Sequence, residues 1–388
     1  MIGGQTTVME TRQALPPLAL RTIDHAAIAR NVHRLLEASG VPLMAVVKSD
    51  GFGHGALEVA QTALTAGATW LGVATIDEAV ELRLGGIRAP IFAWLVDPWA
   101  DLETAAGLRI TLSCANVDTL RAIEDAAGRA GAVADLHLEL DTGMSRGGSS
   151  PELWAALCAA AADAAGTGRV RVTGLWSHLA NATLPGDENV HGPVDALLAA
   201  RDVAVELGLA PRELHLANSA GILAHPSTHL TMVRSAAALY GIETVSGRSY
   251  GLEPAMRITS RVTQLRSVAA GTGVGYLHAW SAPARATLAL VPIGYADGVP
   301  RALSDGGSVS INGVRCAVRG TISMDQLVVE VPQATAIGDE VVLIGDADRG
   351  EPTVAEWAER AGTLPHDILS GIGSRVAFAH DGLPAGVR

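Results

Sequence analysis

Lys48 closes an apolar run, Met44-Ala45-Val46-Val47, near the N-terminus. An amine at the end of a buried strand is partly desolvated, which lowers its pKa and favours the neutral form that can hold an aldehyde as a Schiff base. A lysine at a strand end also snorkels, with its stem packed and its head in water, and residue type alone does not separate the two readings. The turn that follows, Ser49-Asp50-Gly51-Phe52-Gly53-His54-Gly55, is dense enough in glycine for the backbone to approach a ligand closely. The second glycine-rich stretch, Gly271 to Gly275, has no helix after it to complete a phosphate cradle.

Other polar residues stand directly after apolar runs: Arg146 beyond Asp141-Thr142-Gly143-Met144, His178 after Trp176-Ser177, Asn218-Ser219, and Arg234-Ser235. A guanidinium can bind a carboxylate through two parallel hydrogen bonds, so Arg146 and Arg234 are candidate anion holders, with a salt bridge at a rim as the alternative. His178 by itself reads more readily as a satisfied rim histidine than as a catalyst. Glu139 shares a strand face with Asp141, and an interior carboxylate needs a cation; Arg146 is the expected partner.

These residues must be placed by the elements before them. Eight short apolar runs lie between Leu43 and Gly241, beginning at Met44, Trp70, Ile91, Ile110, Leu136, Val172, Leu214 and Met232. Helical patterns separate them. Asp24 caps a segment in which Ile28, Val32, Leu35 and Leu36 share a face and Gly40 stops it; Thr75 with Glu78 has the form of a capping box; Ser150-Pro151 opens another helix. Strands apolar on both faces, alternating with amphipathic helices, call for parallel pairing. The expected architecture is α/β plus β: a (β/α)8 TIM-type barrel over residues 24–250, with a doubly wound open sheet as the competitor, and a mostly β domain over 251–388. Within the latter, strands are expected at Val262 to Leu265, Ala286 to Val291, Ser308 to Ile311, Val314 to Val318, Gln326 to Val331 and Glu340 to Ile344, with one helix near Thr353 to Arg360. The segment 1–23 includes a strand-like stretch, Leu18 to Ile23, that would join this second domain. In such a barrel the ligand site lies at the carboxyl ends of the strands, where the polar residues stand.

Lys plus Arg total 28 against 40 for Asp plus Glu, a net charge of −12 that disfavours phosphate backbones and anionic lipid surfaces as partners. With 48% hydrophobic and 18% charged residues the chain is expected to be globular, and no apolar run reaches the length of a membrane span. Residues 1–17 lack the basic-then-apolar layout of a secretory signal, so a cytoplasmic location is expected. Cys114, Cys158 and Cys316 fit reduced thiols better than a disulfide frame or a zinc site, and no metal is implied.

Taken in order, Met44 to Lys48 with Gly53-His54-Gly55, Asp141 to Arg146, Trp176-Ser177-His178, Ala217-Asn218-Ser219, Val233-Arg234, Leu239 to Ile242, Pro292 to Gly298 and Ser323 to Gln326 resemble the motif series of bacterial alanine racemases. The resemblance spans Ala19 to Ala379. It implies a pyridoxal 5′-phosphate enzyme acting as a homodimer with active sites shared between subunits, and interconversion of L- and D-alanine for peptidoglycan. By the same resemblance, Lys48 carries the cofactor as a Schiff base and is the base for the D-isomer, while Tyr276 from the partner subunit serves the L-isomer. Racemisation removes a proton from one face of a planar carbanion and returns one to the other, which two opposed bases accomplish directly. A tyrosine is a poor base at neutral pH unless cations stabilise its phenolate, and the family's chain from tyrosine through histidine to arginine maps onto Tyr276, His178 and Arg234.

Further roles implied by the resemblance are the cofactor's phenolic oxygen and the substrate carboxylate for Arg146, a backbone contact from Met324 of the partner, the phosphate for Ser219, Gly241 and Ile242, and cofactor contacts for Asn218 and Ser374. Tyr295, Arg301 and Asp325 match the substrate-access region. Three positions depart from the family pattern. Phe52 replaces a tyrosine whose hydroxyl reaches the phosphate, Ser374 replaces another phosphate-contacting tyrosine, and Glu139 stands where several members have a carbamylated lysine. The neighbouring possibilities are a racemase of serine or another small amino acid, and a non-catalytic PLP-binding protein, which would resemble the barrel alone.

Overall fold

The computed structural model describes residues 17–384. They divide into two compact units, one built on 23–256 with 364–371 and 380–384, the other on 17–22 with 257–363 and 372–379. Each is taken by itself.

The first unit is the barrel. Eight parallel strands run β2 (Leu43–Val46), β3 (Trp70–Val73), β4 (Ile91–Ala93), β5 (Thr111–Cys114), β6 (Ala134–Glu139), β7 (Val170–Trp176), β8 (Glu213–His215) and β9 (Val233–Ser235), after a first strand β1 (Ala19–Asp24) that belongs elsewhere. Their order is sequential from β2 to β8, with β9 beside β2. A parallel bridge from His215 to Met232 joins the last two and closes the ring. All eight apolar runs became strands, and the open sheet is excluded. Every residue of β2, β4, β5 and β9 is buried, the both-sided burial expected when helices cover a parallel sheet. The interior is aromatic at one level: Met44, Phe92, Trp176 and Met232 form a cluster, with Trp70 and Trp94 packed on it.

Local chemistry sets the helix ends as the sequence implied. The side chain of Asp24 accepts from the Ala27 N–H to start α1 (His25–Ser39), and Gly40 ends it in the left-handed conformation. Thr75 and Glu78 form the reciprocal capping box of the helix Ile76–Leu84. Among the described residues no helix is long and apolar enough to cross a membrane.

The second unit is mostly β. A six-stranded sheet contains β10 (Met256–Arg261), β15 (Ser308–Ile311), β16 (Val314–Ala317), β18 (Glu340–Ile344), β19 (Ala377–Asp381) and β1; a three-stranded sheet contains β11 (Gln264–Val268), β14 (Ala286–Val291) and β17 (Leu327–Val331); β12 (Gly273–Val274) pairs with β13 (Trp280–Ser281). The run expected as one strand, Val262 to Leu265, is instead the junction between two sheets. Val262 N–H donates to Asp339 O while Thr263 N–H donates to Leu290 O, so the backbone changes partners between adjacent residues. Strands β10 and β19 lay outside the expected set, as did the short helix Pro365–Ser370.

Candidate active site

Lys48 stands two residues beyond β2 and opens a turn of left-handed helix: Ser49, Asp50, Gly51 and Phe52 have φ of 54°, 52°, 60° and 55°. For residues other than glycine this conformation costs about 1–2 kcal/mol each, so neighbouring bonds must hold it. Glu78 Oε1 accepts from Ser49 N–H at 2.7 Å, Asp50 Oδ1 from Ala56 N–H at 2.9 Å, and His54 Nδ1 lies 2.8 Å from Gly51 O. Tyr240 donates to Val46 O at 3.0 Å and stacks on both Phe52 and His54. Burial lowers the Lys48 pKa, the charge of Arg146 lowers it further, and Glu78 opposes both. Its Nζ lies 5.4 Å from the centre of the Trp94 ring. The amine is therefore biased toward its neutral, nucleophilic form.

Arg234, on β9 and only 5% exposed, is the hub of the polar interior. Nη1 lies 3.0 Å from His215 Nδ1, and Nη2 lies 3.2 Å from His178 Nδ1 and 2.9 Å from Ser177 O. A guanidinium only donates, so both imidazole Nδ1 atoms accept, and each neutral ring carries its proton on Nε2. For His215 that proton goes to His137 Nδ1 at 2.8 Å, leaving the His137 Nε2 proton buried without a partner among the described residues. For His178 the Nε2–H is aimed away from Arg234, as a donor. Burial and the Arg234 charge push His137 and His178 down to about 3 and hold His215 well below its usual range. Burial lowers Arg234 itself to about 10, with Glu139 opposing.

Glu139 ends β6. Its expected ion pair with Arg146 is not formed within 4 Å: Arg146 is exposed, on a loop that Asp141 shapes by accepting from the Gly143, Met144 and Ser145 N–H groups at 2.9, 3.0 and 3.1 Å. The three-donor turn fixes where Arg146 leaves the strand end. Arg234 supplies the larger favourable charge to Glu139 and Arg146 the smaller, and burial outweighs both, raising Glu139 to about 7.

One cavity of about 330 Å³ unites Lys48, Arg146, His178, Asn218, Ser219 and Arg234, with Phe52, Trp94, Trp176, Thr183, Ala236, Ala237, Thr244 and His366 also in its wall. Asn218 caps the helix Ser219–Ala224 through Gly221 N–H, and Ser219 Oγ contacts Ser235 Oγ at 3.0 Å while accepting from Ala236 N–H at 3.2 Å. Gly241 and Ile242 do not line this cavity. Their N–H groups donate to Ala238 O and Ala237 O, and a Cβ on Gly241 would lie 2.0 Å from Glu253 O. Backbone packing, not a ligand, requires that glycine; Ala236 and Ala237 occupy the wall instead. The sequence reading passed over them because alanine has no functional group to notice. It also passed over a plainer signal: Lys48 is the only lysine of the 388 residues.

Tyr276, Tyr295, Arg301, Met324, Asp325 and Ser374 belong to the second unit. Tyr276 is 70% exposed beside a fully exposed Leu277, in a turn whose Gly275 packs against Thr321. Tyr295 and Ala296 N–H groups donate to Ser323 O and Met324 O, which joins two of the motifs. Arg375 bridges Asp297 at 2.8 Å and Asp325 at 2.7 Å, and the exposed Ser374 adjoins it. Arg301 opens a short turn of 3-10 helix.

Comparison with known proteins places both units in one family. The alanine racemase N-terminal domain matches residues 23–244 and the alanine racemase C-terminal domain residues 255–380. The chain is 44% identical over 362 residues to an alanine racemase of Salinispora arenicola, covering 93% of this chain and 97% of that protein. Among solved structures, alanine racemase from Streptomyces lavendulae aligns with a TM-score of 0.91 at 40% identity, covering 95% of this chain and 98% of that one. One from Bartonella henselae, with covalently bound pyridoxal phosphate, aligns with a TM-score of 0.85 at 27% identity, covering 94% and 100%.

Proposed function

The chain belongs to the alanine racemase family, and on that footing we propose that it is a pyridoxal 5′-phosphate-dependent racemase interconverting L- and D-alanine. The observation that carries this reading is the solitary lysine. Arginine supplies every other basic side chain of the Lys and Arg set, yet a guanidinium cannot condense with an aldehyde, and the one lysine stands in the cavity with its charge disfavoured. The cavity suits the cofactor's other groups as well. Its wall holds Lys48, Arg146 and Arg234 but no Asp or Glu, which fits an anionic ligand.

In this reading Lys48 holds the cofactor, Ser219 and the Asn218 turn hold its phosphate, Arg234 faces its ring nitrogen, and Arg146 orients the substrate carboxylate. When bound, the cofactor withdraws electrons from the substrate α-carbon and makes its proton removable. Arg234 can only donate, so it would hydrogen-bond the ring nitrogen without accepting a proton from it. Lys48 exchanges the α-proton on one face. Tyr276 of a second copy exchanges it on the other, its phenolate stabilised by the outward-facing His178 Nε2–H and the Arg234 charge behind it. The exposed Tyr276 and Leu277, with Met324 at 52% exposure, support a role against another subunit, since monomeric surfaces seldom display such side chains together. A homodimer with shared active sites, a cytoplasmic location and supply of D-alanine for peptidoglycan complete the proposal.

Borohydride reduction of the purified protein with the cofactor, followed by mass spectrometry and chiral chromatography of L-alanine, tests it. A pyridoxyl adduct on Lys48 and formation of D-alanine are expected; an adduct without D-alanine leaves a non-catalytic carrier, and the absence of an adduct overturns the reading.

A further inference from the structure

His366 lies in the cavity wall without a task. It is the second residue of the helix Pro365–Ser370, where Pro365 fixes the first helical position, and its ring leans on Phe52 with centroids 5.9 Å apart. Among the described residues neither ring nitrogen has a hydrogen-bond partner. Nδ1 is shut off from solvent and unsatisfied, which leaves Nε2 as the nitrogen open to a ligand. Among the described residues the cavity wall that includes His366 carries Lys48, Arg146 and Arg234 and no carboxylate, a lining that suits an anion as the acceptor of an Nε2–H bond.

Phe52 sharpens the assignment. It shares the cavity wall with Lys48 and His366 and offers no donor, and its ring stacks on Tyr240, whose hydroxyl is committed to Val46 O. Beside Phe52 the imidazole is an available donor. We propose that His366 binds the cofactor's phosphate, donating a hydrogen bond from Nε2 in place of the donor that Phe52 lacks. The proposal rests on the cofactor reading above. Burial and the Lys48 charge lower the His366 pKa, with Asp367 opposing, and a bound phosphate would add to that opposition and strengthen the bond as it forms.

The test compares two probes that differ only in the phosphate, pyridoxal 5′-phosphate and pyridoxal, bound to apo forms of the full chain. Dissociation constants are measured by equilibrium dialysis for the wild type, His366→Phe, which keeps a ring against Phe52, and His366→Asn, which keeps a donor. In His366→Phe the phosphorylated probe is expected to weaken about tenfold or more while pyridoxal stays unchanged, with His366→Asn between wild type and His366→Phe. Equal weakening of both probes would assign His366 a merely structural role, and no weakening of either, as expected if the ring served the substrate carboxylate instead, would also overturn the proposal. Failure of the wild type to form a reducible Lys48 adduct is a separate result, and sinks the cofactor reading itself.

Discussion

Replacing Glu139 with glutamine isolates the energetic consequence of a carboxylate whose burial outweighs its cationic neighbours. The folded group titrates at about 7 against 4.5 for an unhindered glutamate. Between those two values the native state holds a proton that the unfolded chain has released, so the group's contribution to stability falls as pH rises, and the full penalty is reached above pH 7. A shift of this size corresponds to about 3 kcal/mol at the alkaline plateau, of which about 2 kcal/mol develops between pH 5.5 and 8. Glutamine carries no such titration. Urea unfolding of wild type and Glu139→Gln at equal protein concentration should therefore give a stability difference that moves in the variant's favour by about 2 kcal/mol over that interval. The contact with Ser113 favours the ionised form and is already contained in the folded-state value, while any pH-independent cost of the substitution cancels in the comparison. A difference independent of pH would refute the assignment of Glu139 as a buried, reluctantly ionised carboxylate.

The imidazoles behave with the opposite sign. His137, His178 and His215 stay neutral in the folded barrel, so acid favours the unfolded chain progressively below pH 6.5; His137→Phe should reduce the slope of stability against pH near pH 5 by about 1.4 kcal/mol per unit, measured by urea unfolding, and an unchanged slope counts against its burial as a neutral ring. Arg234→Ala strips His178 and His215 of their shared donor; a loss of about 2–4 kcal/mol in unfolding free energy and a shifted cofactor absorbance band are expected, and a wild-type spectrum would contradict its place at the ring nitrogen. Lys48→Arg keeps the charge and removes the condensable amine, so borohydride should leave no pyridoxyl mass on any side chain of that variant.

The barrel was legible because its signals are local and repeated. Eight apolar runs with capped helices between them leave few alternatives once both strand faces must be buried. The β unit was less so: at Val262 a continuous β-prone run conceals a change of sheet, since propensity describes a backbone's shape and not its partner. The polar residues at strand ends stood out by type, and Lys48, Arg146, His178, Asn218, Ser219 and Arg234 share one cavity. What stayed hidden was the wall made by backbone and by distant segments. Ala236 and Ala237 displace Gly241 and Ile242 from it, and His366 reaches it from more than a hundred residues further along the chain. The partner of Glu139 was misjudged for the same reason: Arg146 is near in sequence, but β9 brings the charge of Arg234 to bear more strongly.

Complementation between two inactive variants bears most directly on the proposal that an amine and a phenol from different copies serve one reaction centre. Lys48→Ala and Tyr276→Phe are each expected to lose most racemase activity. When equal amounts are mixed and allowed to exchange subunits, half of the dimers are mixed, and each of these carries one site with both groups intact, so activity should recover to about a quarter of wild type. Recovery followed by chiral chromatography of L-alanine, and growing with the rate of subunit exchange, is the expected result. Two variants that exchange subunits yet remain as inactive together as apart would contradict it.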